Sequence, residues 1–188
     1  MRVLSLLSLA VLTAAPLVAQ APKLSAAPST RATAVLTLSP PRVQGQPAPT
    51  ALTVKIDYGQ PHARGRAVPV ELASNDTIWR TGANSSTTLT SEVDLTIGGA
   101  EVPKGAYSLY TVRQGGKYFL IINKNTGQWG TEYVADKDLV RVPLTARTLH
   151  ETQESLQIAL VPPASGPAAG ALTIAWGMLH LSTTWAVR

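Results

Sequence analysis

The chain has 188 residues, of which 45% are hydrophobic and only 14% are charged, and it contains no cysteine. This hydrophobic fraction excludes a wholly disordered chain, and the lack of cysteine excludes disulfide scaffolds, thiol catalysis and cysteine-ligated zinc. The formal net charge is +5, but the basic residues are scattered and form no basic run, so the sequence predicts no nucleic-acid partner.

The N-terminal segment has the layout of a secretory signal peptide. A basic residue precedes an apolar stretch, and Ala19 supplies the small residue expected before a cleavage point. We therefore expect residues 1–19 to be a signal peptide, residues 20–31 a mobile leader and residues 32–188 a single β-rich domain. The alternative is a retained membrane anchor, for which the apolar stretch is at the short limit.

No later segment is apolar over the roughly 20 residues that cross a bilayer as a helix. The sequence thus predicts an exported protein, periplasmic or extracellular, with no membrane span after signal removal.

Short segments with alternating apolar and polar residues follow the leader, and this period is typical of strands with one buried face. They lie at 33–38, 52–58, 93–97, 107–112, 117–122, 140–144, 156–160, 172–176 and 179–185. Proline-rich stretches at 39–49 and 162–167 predict long loops, because proline cannot donate to a sheet. About ten short strands predict an all-β fold, an antiparallel β-sandwich, with a closed β-barrel as the alternative.

Local signals refine this prediction at three places. Gly115-Gly116 predicts a hairpin turn, and Gly177 predicts another between the last two strands. A single helical turn is expected within residues 131–139. The apolar residues around the second turn are expected to face the core; they are Leu172, Ile174, Trp176, Leu179 and Leu181.

The middle of the chain carries several long, ordered strings. They are DYGQP at 57–61, IWRTGAN at 78–84, VPKGAYSLYT at 102–111, IINK at 121–124 and QWGTEY at 128–133. This series resembles the bacterial exported family called domain of unknown function 2911, over roughly residues 30–188 and most densely over 57–133. The resemblance implies an exported bacterial protein with a β-rich domain, and it implies no activity or substrate.

Familiar catalytic and metal-binding motifs do not occur in the sequence. There is no G-x-S-x-G nucleophile elbow and no phosphate-binding P-loop. The segment that starts at His150 has Glu154 where a zincin helix requires its second histidine. His150 is expected in a loop and His180 on a polar face. The sequence therefore predicts no catalytic residue, no metal site and no cofactor.

Residues 79–84 are the most distinctive candidate for ligand binding. Trp79 offers a flat apolar face, and Arg80 offers a planar fork of donors suited to a carboxylate or phosphate. With other aromatic and amide side chains they predict a site for a saccharide or another polar small molecule. The candidate ligand-binding residues are Trp79, Arg80, Asn84, Asn123, Trp129, Tyr133, Arg66 and His62.

A structural interpretation of the same residues stands beside the functional one. In it, Arg80 pairs with Asp57 or Asp76, Trp79 belongs to the core, and Arg66 braces a loop.

Two classes of function remain after these exclusions. The sequence favours a non-catalytic binding or structural role in the cell envelope, and it carries no signal for an oligomeric state. The alternative is a periplasmic hydrolase acting on a sugar-like substrate, which needs two carboxylates about 5–10 Å apart. The candidate acids are Asp57, Asp76, Glu132 and Asp136, and their spacing singles out no pair.

Overall fold

The computed structural model describes residues 24–188, so the predicted signal peptide at 1–19 lies outside the described residues. Within that range the chain forms nine β-strands and two 3-10 helices, Val70–Ala73 and Ala135–Lys137. The strands are β1 (Thr30–Leu38), β2 (Leu52–Gln60), β3 (Thr87–Ser91), β4 (Leu95–Ile97), β5 (Ala100–Val102), β6 (Gly105–Gln114), β7 (Lys117–Asn123), β8 (Asp138–Val161) and β9 (Ala169–Val187). No helix of the described range is long and apolar enough to cross a membrane.

All strands belong to one antiparallel sheet in the order β1-β2-β3-β6-β7-β8-β9-β4-β5. β1 and β5 lie at its two ends and do not pair, so the sheet is open and a closed barrel is not formed. The sheet folds over its own core, since the backbone N–H of Ile158 in β8 donates to Tyr58 Oη in β2 at 3.3 Å. The all-β, antiparallel prediction is confirmed, with a sandwich-like arrangement.

Two strands are much longer than predicted. β8 has 24 residues and joins two segments that were expected to be separate strands, so His150 lies in a strand rather than in a loop. β9 has 19 residues and continues through Gly177, so the predicted hairpin there is wrong. Register shifts in β8 around Gln153 keep the two long strands paired on either side of an irregular stretch.

The structural role of Gly177 is a close approach between two chain segments. Its φ is +60°, and a Cβ at this position would lie 2.5 Å from the carbonyl oxygen of Val68. A residue without a side chain is needed there because β9 and the segment at Val68 pack backbone against backbone.

Other local predictions agree with the structure. Gly115 and Gly116 connect β6 to β7, where Gln114 pairs with Lys117. The 3-10 helix Ala135–Lys137 provides the expected helical turn. β1 begins at Thr30, inside the segment that was expected to form the leader.

The main core lies inside the folded sheet and contains the predicted C-terminal residues. Leu172, Ile174, Trp176 and Leu181 are buried, and Leu179 packs against them half-buried. The prediction for this stripe is therefore confirmed, because alternation along one extended strand places every second residue on the same face.

A second, smaller cluster covers the opposite face of β6 and β7, and we call it the outer cluster. Tyr110, Val112 and Ile121 are its buried members, and Ile78, Phe119 and Tyr133 pack on them. The outer cluster forms because the loops at 70–80 and 124–137 cross this face, which a two-layer sandwich leaves open to solvent. These loops bring the candidate site together.

Candidate functional site

A small cavity opens over the outer cluster. Its volume is about 150 Å³, many times the ~10–15 Å³ that a single water requires. It is well below the ~300–1,000 Å³ of sites for drug-sized ligands. The lining residues are Glu71, Ile78, Trp79, Arg80, Tyr110, Gly130, Thr131 and Tyr133. The cavity is therefore suited to a molecule of a few non-hydrogen atoms.

The segment at 78–80 is held in place by β6. Trp79 and Thr111 exchange two backbone hydrogen bonds of 2.8 Å, which form an isolated antiparallel bridge. Because side chains alternate along extended backbone, Trp79 lies in the main core while Ile78 and Arg80 lie on the outer face. Trp79 is only 2% exposed and stacks on Trp176. Its ring is thus part of the core, whereas its neighbour is presented to the cavity.

The half-buried Arg80 side chain forms no hydrogen bond or ion pair with any other residue of the described range. The carboxylates expected to pair with it have other partners. Asp57 pairs with Arg31 of β1, and Asp76 Oδ1 accepts a hydrogen bond from Gln114 Nε2 at 3.0 Å. The brace between Arg80 and these acids is therefore not formed, and the guanidinium remains available to a ligand.

Gly130 makes room for the arginine stem. A Cβ at Gly130 would lie 2.5 Å from Cδ of Arg80 and 2.6 Å from the carbonyl oxygen of Asn84. That carbonyl accepts a 3.0 Å hydrogen bond from the Gly130 N–H. The glycine therefore allows the loop at 128–131 to close over the stem of Arg80.

Tyr133 forms a fixed wall of the cavity. Its hydroxyl donates to Asp138 Oδ2 at 2.6 Å and accepts from Arg141 Nη2 at 2.9 Å, and its ring meets Tyr110 edge-on at 5.0 Å. Burial, followed by the hydrogen bond to Asp138, raises the pKa of the Tyr133 phenol from 10.0 to about 12. A phenol is neutral near pH 7 even at its ordinary pKa of 10.0, so Tyr133 contributes a ring rather than a charge.

Tyr110 is the second aromatic wall of the cavity, and a side-chain hydrogen bond fixes its hydroxyl. Gln128 Nε2 donates to Tyr110 Oη at 2.9 Å. Burial raises the pKa of the Tyr110 phenol above its ordinary value. The neutral state of both tyrosines leaves Glu71 and Arg80 as the charged side chains that line the cavity.

Three further candidates lie near the cavity but do not line it. Asn123 is buried and donates to Asp138 Oδ1 and to the carbonyl of Val134, both at 2.8 Å, so it ties the end of β7 to the following loop. Asn84 is exposed, with a φ of +62°. Trp129 is 49% exposed beside Gly130. Of the predicted residues, Trp79, Arg80 and Tyr133 are therefore the ones that the structure brings together at the cavity.

The remaining candidates, Arg66 and His62, lie in a different loop. Arg66 donates to the carbonyls of Ala63 and His62 at 3.0 and 2.9 Å, so it braces its own loop. His62 Nδ1 lies 2.7 Å from Ser155 Oγ. The same two residues form a β-bridge that extends the β2 segment toward β8. The histidine–serine contact thus belongs to the sheet, and neither residue lines the cavity over the outer cluster.

Sequence reasoning missed five lining residues: Glu71, Ile78, Tyr110, Gly130 and Thr131. Glu71 lies in the 3-10 helix Val70–Ala73, where no motif marks it. Tyr110 lies on the face of β6 opposite that of Leu109. A large aromatic residue on a strand face expected to be solvated indicates that the face is covered, and this signal was present in the sequence. None of the four acids proposed for hydrolysis lines the cavity, and Glu71 is the one carboxylate among its described lining residues.

Comparison with known families adds one finding to this geometry. The family described as "Protein of unknown function (DUF2911)" matches residues 39–184, which is most of the chain. Comparison with curated proteins and with solved structures gives no match. The function must therefore be inferred from the site.

Proposed function

The chain belongs to the DUF2911 family, and we propose that it is a non-catalytic binding domain for a small polar molecule with an anionic group. The observation that carries this proposal is Arg80, a guanidinium without a protein partner in the described range that lines a cavity of about 150 Å³. Arginine binds carboxylate and phosphate groups through paired hydrogen bonds, which are among the stronger ones in proteins.

The surroundings of Arg80 support binding of a defined small ligand. Ile78, Tyr110 and Tyr133 provide apolar walls, and the hydrogen bonds of the two phenols hold the rings in one orientation. A concave, mostly apolar site with a few placed polar groups is the usual form of a small-molecule site. A preformed wall also lowers the entropy lost on binding.

Hydrolysis of a sugar-like substrate has less support. Glycoside hydrolysis requires two carboxylates about 5–10 Å apart, and the cavity is lined by one, Glu71. The amide groups expected to contact a saccharide, those of Asn84 and Asn123, lie outside the cavity lining. We place the binding domain in the periplasm or outside the cell, because the N-terminal sequence has the layout of a signal peptide.

The proposal is tested by a thermal-shift screen of the purified protein against small carboxylates, phosphates, amino acids and monosaccharides. A ligand that binds only the native state raises the melting temperature by mass action. We expect Arg80→Ala to abolish the shift in a protein that still folds, whose own melting temperature without ligand is the baseline for the measurement.

Arg42→Ala is the matched control, because Arg42 is exposed and distant in sequence from every lining residue. It should keep the full shift. A ligand whose shift survives Arg80→Ala would contradict the proposed site, and a screen in which no small polar molecule binds would contradict the proposed function.

A further inference from the structure

We propose that the ligand is a zwitterion of the α-amino acid class, whose carboxylate contacts Arg80 and whose ammonium contacts Glu71. This inference rests on the proposed function and specifies its ligand. It follows from the charges that line the cavity, from the absence of partners for those charges among residues 24–188, and from the volume of the cavity.

The cavity contains two opposite charges that do not neutralise each other. Glu71 and Arg80 both line it and both are half-buried. They form no ion pair with each other or with other residues in the part of the chain that the structure describes. Each charge loses some of its hydration through burial, and neither recovers it through a protein partner.

A ligand with one charge satisfies only one of these groups. A simple carboxylate that binds Arg80 brings a second negative charge into the cavity of Glu71, and like charges repel strongly where water is partly excluded. A neutral saccharide leaves both charges without an opposite charge. A zwitterion places a positive and a negative group on one small molecule, and it matches both residues at once.

No other charged group in the wall disturbs this pattern. Tyr133 is neutral near pH 7, as phenols ordinarily are, and its hydroxyl donates to Asp138. The Asp138 carboxylate also accepts hydrogen bonds from Arg141 and Asn123. Glu71 and Arg80 are thus the charged residues among the described lining residues, one of each sign.

The volume limits the ligand to a small amino acid. About 150 Å³ is far below the ~300–1,000 Å³ typical of sites for larger ligands. The ammonium and the carboxylate must also share this one space, as they do when both are attached to a single Cα. We therefore take L-alanine as the probe, because propionate lacks only its ammonium and ethylamine lacks only its carboxylate.

The test is calorimetric titration of the purified protein with L-alanine, propionate, ethylamine and glucose. We expect L-alanine to bind at least about tenfold more tightly than propionate or ethylamine. Glu71→Gln should remove this preference by weakening L-alanine about tenfold while leaving propionate equal or slightly tighter, since a repulsive charge is lost. Arg80→Ala should abolish binding of both, and Arg42→Ala should change neither.

The outcomes of these titrations distinguish failure of the zwitterion inference from failure of the proposed function. Propionate binding as tightly as L-alanine would overturn the zwitterion and leave the proposed function, binding of a small anion, intact. Glucose binding that depends on Arg80, without binding of L-alanine or propionate, would overturn both the zwitterion and the anionic ligand of the proposed function. If neither the probes nor any member of the wider screen binds, both proposals are overturned. The melting curve of each variant is compared with that of the parent protein. A cooperative transition in the variant shows that it is folded, so that loss of binding is not loss of folding.

Discussion

Trp79 and Trp176 stack with ring centroids 5.8 Å apart and planes 14° apart. The pair joins the short segment beside β6 to β9, two parts of the chain that are far apart in sequence. Because Trp79 is fixed in the main core, the next residue, Arg80, is directed to the outer face of β6 and into the cavity. The core contact of one residue thus determines the position of the candidate ligand-binding residue that follows it.

Truncation of Trp79 should strongly destabilise the protein. Trp79→Ala removes a fully buried ring and its stacking contact with Trp176, and we expect a loss of about 3–5 kcal/mol in the free energy of unfolding. The measurement is equilibrium urea unfolding. Trp129→Ala is the matched control, because Trp129 is 49% exposed and should change stability by about 0.5 kcal/mol or less. Equal effects of the two substitutions would show that the stacked pair is not part of the core.

Gly177 should be far less tolerant of a side chain than Gly116, although both have positive φ. Gly116→Ala places Cβ in open space. We therefore expect it to lower the free energy of unfolding only by the cost of a left-handed backbone conformation, about 1–2 kcal/mol. Gly177→Ala adds a Cβ that would lie 2.5 Å from the carbonyl oxygen of Val68, and overpacking of this kind costs about 1–3 kcal/mol more.

Urea unfolding of the two glycine variants measures this difference directly. The shared positive φ cancels between them, so the remaining difference reports the close approach of β9 to Val68. A Gly177→Ala protein as stable as Gly116→Ala would indicate that β9 turns at Gly177 after all, as the sequence pattern suggested.

The phenol of Tyr133 should titrate above the ordinary range. Its pKa rises from 10.0 to about 12 in the folded protein, so the folded state holds the proton more tightly than the unfolded state. This stabilisation is fully present below about pH 10 and is lost as the pH rises toward about 12. Phenolate absorbance, compared between the parent protein and Tyr133→Phe, isolates this group.

Asp138→Asn tests whether Asp138 causes the raised pKa of Tyr133. Because Asp138 raises the pKa of Tyr133 through its hydrogen bond and its charge, the amide should bring the pKa of the phenol down toward 10. A pKa that is unchanged in Asp138→Asn would mean that burial alone sets it.

The sequence by itself determined the features that depend on neighbouring residues. The β6–β7 hairpin followed from Gly115-Gly116, because a tight turn needs positive φ at both positions. The buried stripe at Leu172, Ile174 and Trp176 followed from alternation, because one face of an extended strand meets the core wherever that strand lies. Both signals are local and do not depend on which strands become partners.

Tertiary structure decided the features that depend on partners. Asp57 is paired with Arg31 because antiparallel register places β1 beside β2, and this leaves Arg80 without the acid that the sequence offered it. Gly177 permits a close approach instead of a turn because Val68 packs on it. Glu71 and Arg80 come to line one cavity only when the 3-10 helix and the segment at Trp79 cross the same face of β6. In an isolated chain, a charged residue can pair with several partners, and a glycine can serve either a turn or a close approach. The pairing of distant strands decides which of these occurs.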